Sequence, residues 1–172
     1  MRRLILPLAI AAIALPAVAG PAPVTIQLKG PAGEDMGSAT LTEAPRGVVL
    51  RIAAKGLTPG WHGLHFHEKA DCSSADFKSA GGHMHHDGPV VHGLLSPAAN
   101  ETGDLPNLYA AADGTAMAEM FSPSVSLSMA DRGPLLDADG SALVIHASPD
   151  DHASQPIGGA GARVACAVIK AP

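Results

Sequence analysis

The chain has 172 residues, the size of one domain, and a net charge of −5 at pH 7. Its Lys and Arg form no run beside aromatic residues, which leaves no case for a nucleic-acid-binding protein. With 19 glycines, 15 prolines and only one Trp, one Tyr and three Phe, it reads as a chain of many turns rather than long helices. The first element stands apart from the domain. Arg2 and Arg3 precede an apolar run from Leu4 to Leu15, and Ala17-Val18-Ala19 gives a small-residue cleavage pattern before Gly20. Residues 1–19 are therefore expected to be a signal peptide and 20–172 the mature domain, periplasmic or secreted. The apolar run is too short for a confident membrane span, so no stable membrane insertion is expected after cleavage.

The mature chain then reads as short strands. Val24–Lys29 alternates apolar and polar residues, the period of a half-buried strand. Ser38–Glu43 and Val48–Ala53 repeat the pattern. A fourth segment carries Gly60-Trp61-His62-Gly63-Leu64-His65-Phe66-His67. Residues 72–104 show no sustained period, which is long for an ordinary connection and marks a functional or braced loop. Leu108–Ala112 and Ala116–Phe121 flank Asp113-Gly114, a hairpin signal. Residues 122–140 read as a loop in which 125–132 could form a short helix. Ala142–His146 is a buried strand, 147–162 a second irregular loop, and Arg163–Ile169 the last strand. Eight short strands predict a sandwich or a Greek-key barrel.

The chemistry starts at the fourth strand. Residues two apart on a strand point to one face, so His65 and His67 present two imidazoles together. That is half of a copper or zinc site. His62 is out of this phase and reads as a supporting residue. Cys72 and Cys166 are the only cysteines. In an exported chain they are expected to pair, closing a loop of roughly 95 residues worth about 4–5 kcal/mol of chain entropy. Two reduced thiols are the alternative for a chain kept in the cytosol.

Five ordered segments now resemble one family: Gly60–His67, Ser79–His83, Gly103–Asn107, Leu143–His146 and Gly161–Ile169. Together they resemble the copper–zinc superoxide dismutases of the exported bacterial type, over about Val24 to Lys170. The resemblance implies an all-β fold, an eight-stranded Greek-key barrel with two long metal-binding and active-site loops. It implies copper bound by His65, His67, His83 and His146, with His83 bridging to zinc and carrying a proton between half-reactions. His92 and Asp104 match zinc ligands; an alternative register puts His86, in His86-Asp87-Gly88-Pro89, in the place of His92, whose spacing from His83 and Asp104 fits the family better. Asp150 resembles an aspartate that ties a zinc histidine to a copper histidine. Arg163 matches an arginine that guides the anionic substrate.

One position departs from the family. Glu101 stands where a third zinc histidine is expected. Zinc accepts carboxylate oxygen, so His83, His92, Glu101 and Asp104 could still close a tetrahedral site. His85 or His86 swinging in, or a weak zinc site, are the alternatives. His152 and the His85–His86 pair otherwise read as solvated loop residues. The expected function is an antioxidant enzyme that converts superoxide to oxygen and hydrogen peroxide, as a monomer or homodimer. The rival is a non-catalytic periplasmic copper and zinc binder on the same barrel.

Overall fold

The computed structural model describes residues 21–85, 88–128 and 131–171. The expected leader, residues 1–19, lies outside them, as does His86. Eleven strands are found among the described residues: β1 (Val24–Lys29), β2 (Asp35–Ala44), β3 (Gly47–Ala54), β4 (Gly60–His62), β5 (Leu64–His67), β6 (Leu108–Ala110), β7 (Ala116–Ser122), β8 (Val125–Ser126), β9 (Gly133–Pro134), β10 (Ser141–His146) and β11 (Arg163–Ile169). Seven of them form one sheet in the order β5-β10-β11-β1-β2-β3-β7, and β4 pairs with β6 in a ribbon. Because β4 runs into β5 and β6 turns into β7, the ribbon joins the two edges of the curled sheet. The eight segments read from the sequence correspond to these strands, with β4 and β5 taken as one and the two-residue β8 and β9 set aside.

The interior is built by alternation. Ile26 and Leu28, Ala39 and Leu41, Leu50 and Ile52, and Leu143 and Ile145 all enter one apolar core. Strand β10 is buried on both faces. Its other face, Ala142 and Val144, is covered by Phe77, Ala80 and Cys166 from the loop and β11. This explains its unbroken apolar run, which period-2 reading assigns only as a buried strand.

Two local readings change. Residues 125–128 do not begin a helix: β8 pairs in parallel with β9 across the loop. Glu43 reaches over to accept the amide of Leu127 there, a tertiary contact that local propensity cannot foresee. The Asp113-Gly114 turn forms, with the Ala111 amide donating to Thr115 O at 2.8 Å. Its arms then separate, β6 to β4 and β7 to β3, so the turn passes the chain from the ribbon to the sheet.

Cys72 and Cys166 form a disulfide across 94 positions. It ties the loop after β5 to β11, directly over β10. Replacing both cysteines (Cys72→Ser with Cys166→Ala) is expected to cost about 2–5 kcal/mol of unfolding free energy, read by denaturant titration. An unchanged midpoint would contradict this restraint.

Candidate metal centre

The centre is built on the outside of the sheet. On β5, Leu64 and Phe66 enter the core, so His65 and His67 face outward. On β10, Leu143 and Ile145 do the same, and His146 follows on the outer face. Register brings the strands together, with Val144 opposite His65 and Ala142 opposite His67. The remaining residues arrive through backbone bridges: His67 with His83, His65 with Asp104, and His85 with Glu101. Met84 N donates to Phe66 O at 2.9 Å, while Thr102 and Gly103 both donate to Met84 O at 2.8 and 2.9 Å. Met84 and Leu105 enter the core as anchors beside His83 and Asp104. Gly103 is required here, because a Cβ would stand 2.2 Å from Phe66 O.

His65, His67, His83 and His146 each offer a ligand atom within 4.8 Å of the others, and all four are buried. One nitrogen of each is anchored. His65 Nε2 meets Asp150 at 2.7 Å, His67 Nδ1 donates to Gly81 O at 3.1 Å and His146 Nδ1 to Gly161 O at 3.2 Å. His83 Nδ1 faces Glu101 at 2.9 Å. The other nitrogens, His65 Nδ1, His67 Nε2, His83 Nε2 and His146 Nε2, are buried without a hydrogen-bond partner. Orphaned buried nitrogens are rare in folded proteins. Burial pushes His65, His67 and His146 down to about 4, 2 and 3, so these rings are neutral and able to bind a cation.

A second nest shares His83. Glu101 Oε2 lies 2.9 Å from His83 Nδ1 and 2.5 Å from His92 Nδ1. Asp104 Oδ1 lies 3.6 Å and 3.1 Å from the same two nitrogens. Zinc bonds of about 2.0–2.1 Å in a tetrahedron give edges of about 3.3–3.4 Å, which these separations bracket. His65 also offers an atom within 4.8 Å of His83, His92 and Asp104, but Asp150 already occupies its Nε2. Glu101 Oε2, within 2.9 Å of both His83 Nδ1 and His92 Nδ1, lies at the same nest. Burial works to lower His83, yet the neighbouring carboxylates of Asp104 and Glu101 prevail and push it up to about 9. A nest that holds a proton this firmly favours positive charge. The Gly93 amide donates to Asp104 Oδ2 at 2.8 Å and leaves Oδ1 without a hydrogen-bond partner.

Asp150 joins the two nests. Its Oδ2 accepts from His65 Nε2 at 2.7 Å and its Oδ1 from His92 Nε2 at 3.0 Å. Gly158 packs so closely here that a Cβ would stand 1.7 Å from Asp150 Oδ1, and its φ of 61° suits glycine. Sequence reading missed the amides that hold this arrangement. Asn107 donates to Asp150 O at 2.8 Å and accepts from Asp150 N at 2.9 Å. Gln155 accepts from His92 N and donates to His92 O, both at 2.9 Å. The usable signal was chemical: an amide side chain both donates and accepts, so it can mimic a peptide partner in a loop.

The other histidines take separate places. His62 is buried, with Nδ1 2.6 Å from His146 O and Nε2 2.7 Å from Thr58 O, so it braces the end of β10. His85 Nε2 lies 3.2 Å from Glu68, while its backbone bridges Glu101. His152 is not the solvated residue read from sequence. Its ring packs against Asp150 at 3.5 Å and accepts from Asn107 at 3.2 Å. Arg163 is half-buried beside a cleft of about 570 Å³ that His83 and His146 also line. It donates to Phe77 O at 2.6 Å and Gly81 O at 2.7 Å, which fixes its guanidinium.

A family model described as copper/zinc superoxide dismutase matches residues 36–169. The chain belongs to the copper/zinc superoxide dismutase family. A superoxide dismutase [Cu-Zn] of Caulobacter vibrioides is 63% identical over 147 residues, covering 85% of this chain and 84% of that one. Among solved structures, a double mutant of a superoxide-dismutase-like protein from Bacillus subtilis matches with TM-score 0.81 at 38% identity, covering 86% and 97% of the two chains. The Cu/Zn superoxide dismutase of Brucella abortus matches with TM-score 0.69 at 31% identity, covering 86% and 99%. Copper and zinc are the cofactors of this family, and the donors fit them. Four unpartnered imidazole nitrogens suit copper, and two imidazoles with two carboxylates suit zinc. Asp150→Asn leaves one oxygen to serve two imidazoles. Zinc affinity, read by chelator competition, is expected to fall about 10–100-fold, and unchanged affinity would remove Asp150 from this role.

Proposed function

We propose that the chain is an exported superoxide dismutase. His65, His67, His83 and His146 would hold copper, and His83, His92, Glu101 and Asp104 would hold zinc. The observation that carries this reading is the quartet of unpartnered, buried imidazole nitrogens beside a cleft that contains Arg163. Two superoxide ions and two protons give one oxygen and one hydrogen peroxide. Copper held there would supply the one-electron redox chemistry of this exchange.

The chain's own residues do the rest. Arg163 stays cationic, and its two backbone acceptors leave it fixed at the cleft wall, where it attracts a small anion. His83 Nε2 lies on the open side of its ring and can hold a proton, while Nδ1 stays with the carboxylates. Asp150 orients His65 and His92 through opposite oxygens. His62 steadies the carbonyl of His146.

Family membership alone does not carry the activity, since one relative, from Bacillus subtilis, is named superoxide dismutase-like. A metal-storage role would explain the imidazoles but not a guanidinium locked beside them. The disulfide favours an oxidising compartment, so the mature chain, from about Gly20, is read as periplasmic or secreted. Either a monomer or a homodimer suits this reading, because every proposed ligand comes from one chain.

Arg163→Ala is expected to slow superoxide removal by about tenfold or more and to flatten its salt dependence, with copper content unchanged. Pulse radiolysis across ionic strength measures both. An unchanged rate and salt profile would exclude Arg163 as the anion guide.

A further inference from the structure

The two nests differ in kind. The first offers four imidazole nitrogens and no charged ligand. The second offers two imidazole nitrogens and two carboxylate oxygens. Because His83 belongs to both, an ion entering one nest arrives beside the other. Copper binds nitrogen and oxygen sites more tightly than zinc in the divalent series, and copper(I) also takes nitrogen donors readily. A second nest made mainly of imidazoles would therefore be open to copper as well as zinc.

Glu101 changes that balance in two ways. Its carboxylate oxygen is a hard donor, which zinc accepts well and the soft copper(I) ion does not. With Asp104 it also puts two negative charges around the ion, and their attraction for a divalent cation is twice that for a monovalent one. The Glu101 side chain is only 2% exposed, so water screens this attraction little. Nor is it free to leave. Its backbone bridges His85, the neighbouring Thr102 amide donates to Met84 O at 2.8 Å, and Met84 is anchored in the core.

We propose that Glu101 determines metal specificity, keeping copper(I) out of the second nest and reserving that nest for zinc. The inference rests on the reading of Glu101 as a ligand. It goes beyond that reading by naming the ion that the carboxylate excludes.

The test uses the full mature chain, metal-free and oxidised, as wild type, Glu101→His and Glu101→Gln. Far-UV circular dichroism first establishes native β-structure in each. Copper(I), buffered with bicinchoninate in the absence of oxygen, is titrated into each, and zinc affinity is measured separately by chelator competition. Wild type is expected to hold one copper(I) tightly. Glu101→His should hold two, the second at least about tenfold more tightly than wild type does. Glu101→Gln should lose about tenfold or more in zinc affinity and so narrow the zinc preference. Should Glu101→His fail to fold, the ratio of zinc to copper(I) affinity in Glu101→Gln decides the matter, and a ratio equal to wild type overturns the proposal. Equal uptake of two copper(I) ions by wild type and Glu101→His overturns the sorting role, while the ligand reading survives if Glu101→Gln still loses zinc. Unchanged zinc affinity in Glu101→Gln overturns both.

Discussion

Each imidazole of the first nest is secured by one nitrogen and left open at the other. This division governs the rest of the site. A free ring would rotate and present either nitrogen, whereas a ring held by a carbonyl or carboxylate has one orientation and one tautomer. Gly81 O and Gly161 O hold His67 and His146, and Asp150 holds His65. Only His83 is held on the side of a second nest, so its two nitrogens serve different neighbours. Burial keeps the open nitrogens unprotonated in three of the four rings.

The barrel contributes a rigid outer surface rather than a pocket. Alternation on β5 and β10 sends leucine, isoleucine and phenylalanine inward, which forces the intervening histidines out. Loops then complete the centre, and they are braced against the barrel instead of having cores of their own. The disulfide covers β10, the backbone bridges align His83 and Asp104 with β5, and Asn107 and Gln155 clamp the two loops. Such bracing suits chemistry done by positioned ligands, where small displacements of a donor weaken the metal's hold.

Charge is distributed unevenly across this surface. Two rings of the imidazole quartet, His83 and His146, line the cleft with Arg163, and the two carboxylates lie around His83 Nδ1. An anion approaching through the cleft therefore meets the guanidinium before it meets Glu101 or Asp104.

Much of this was legible in the chain. Period-2 alternation located the strands because a strand buried on one face must alternate, and the spacing of His65 and His67 alone puts them on one face. Glu101 was visible as a departure from a pattern of ligands. Tertiary structure decided what spacing cannot express. The register between β5 and β10 chose which histidines meet, and three backbone bridges bring Glu101, Asp104 and His83 together. Asn107, Gln155 and His152 gained their roles only by contact across 43, 63 and 45 positions with Asp150, His92 and Asn107. The 125–128 segment became strand rather than helix because its partner lay on the far side of the loop. Local sequence determines which face a side chain takes, since that follows from backbone geometry within a few residues. Which distant side chains share that face depends on how the whole chain closes, and that was settled by packing of the common core.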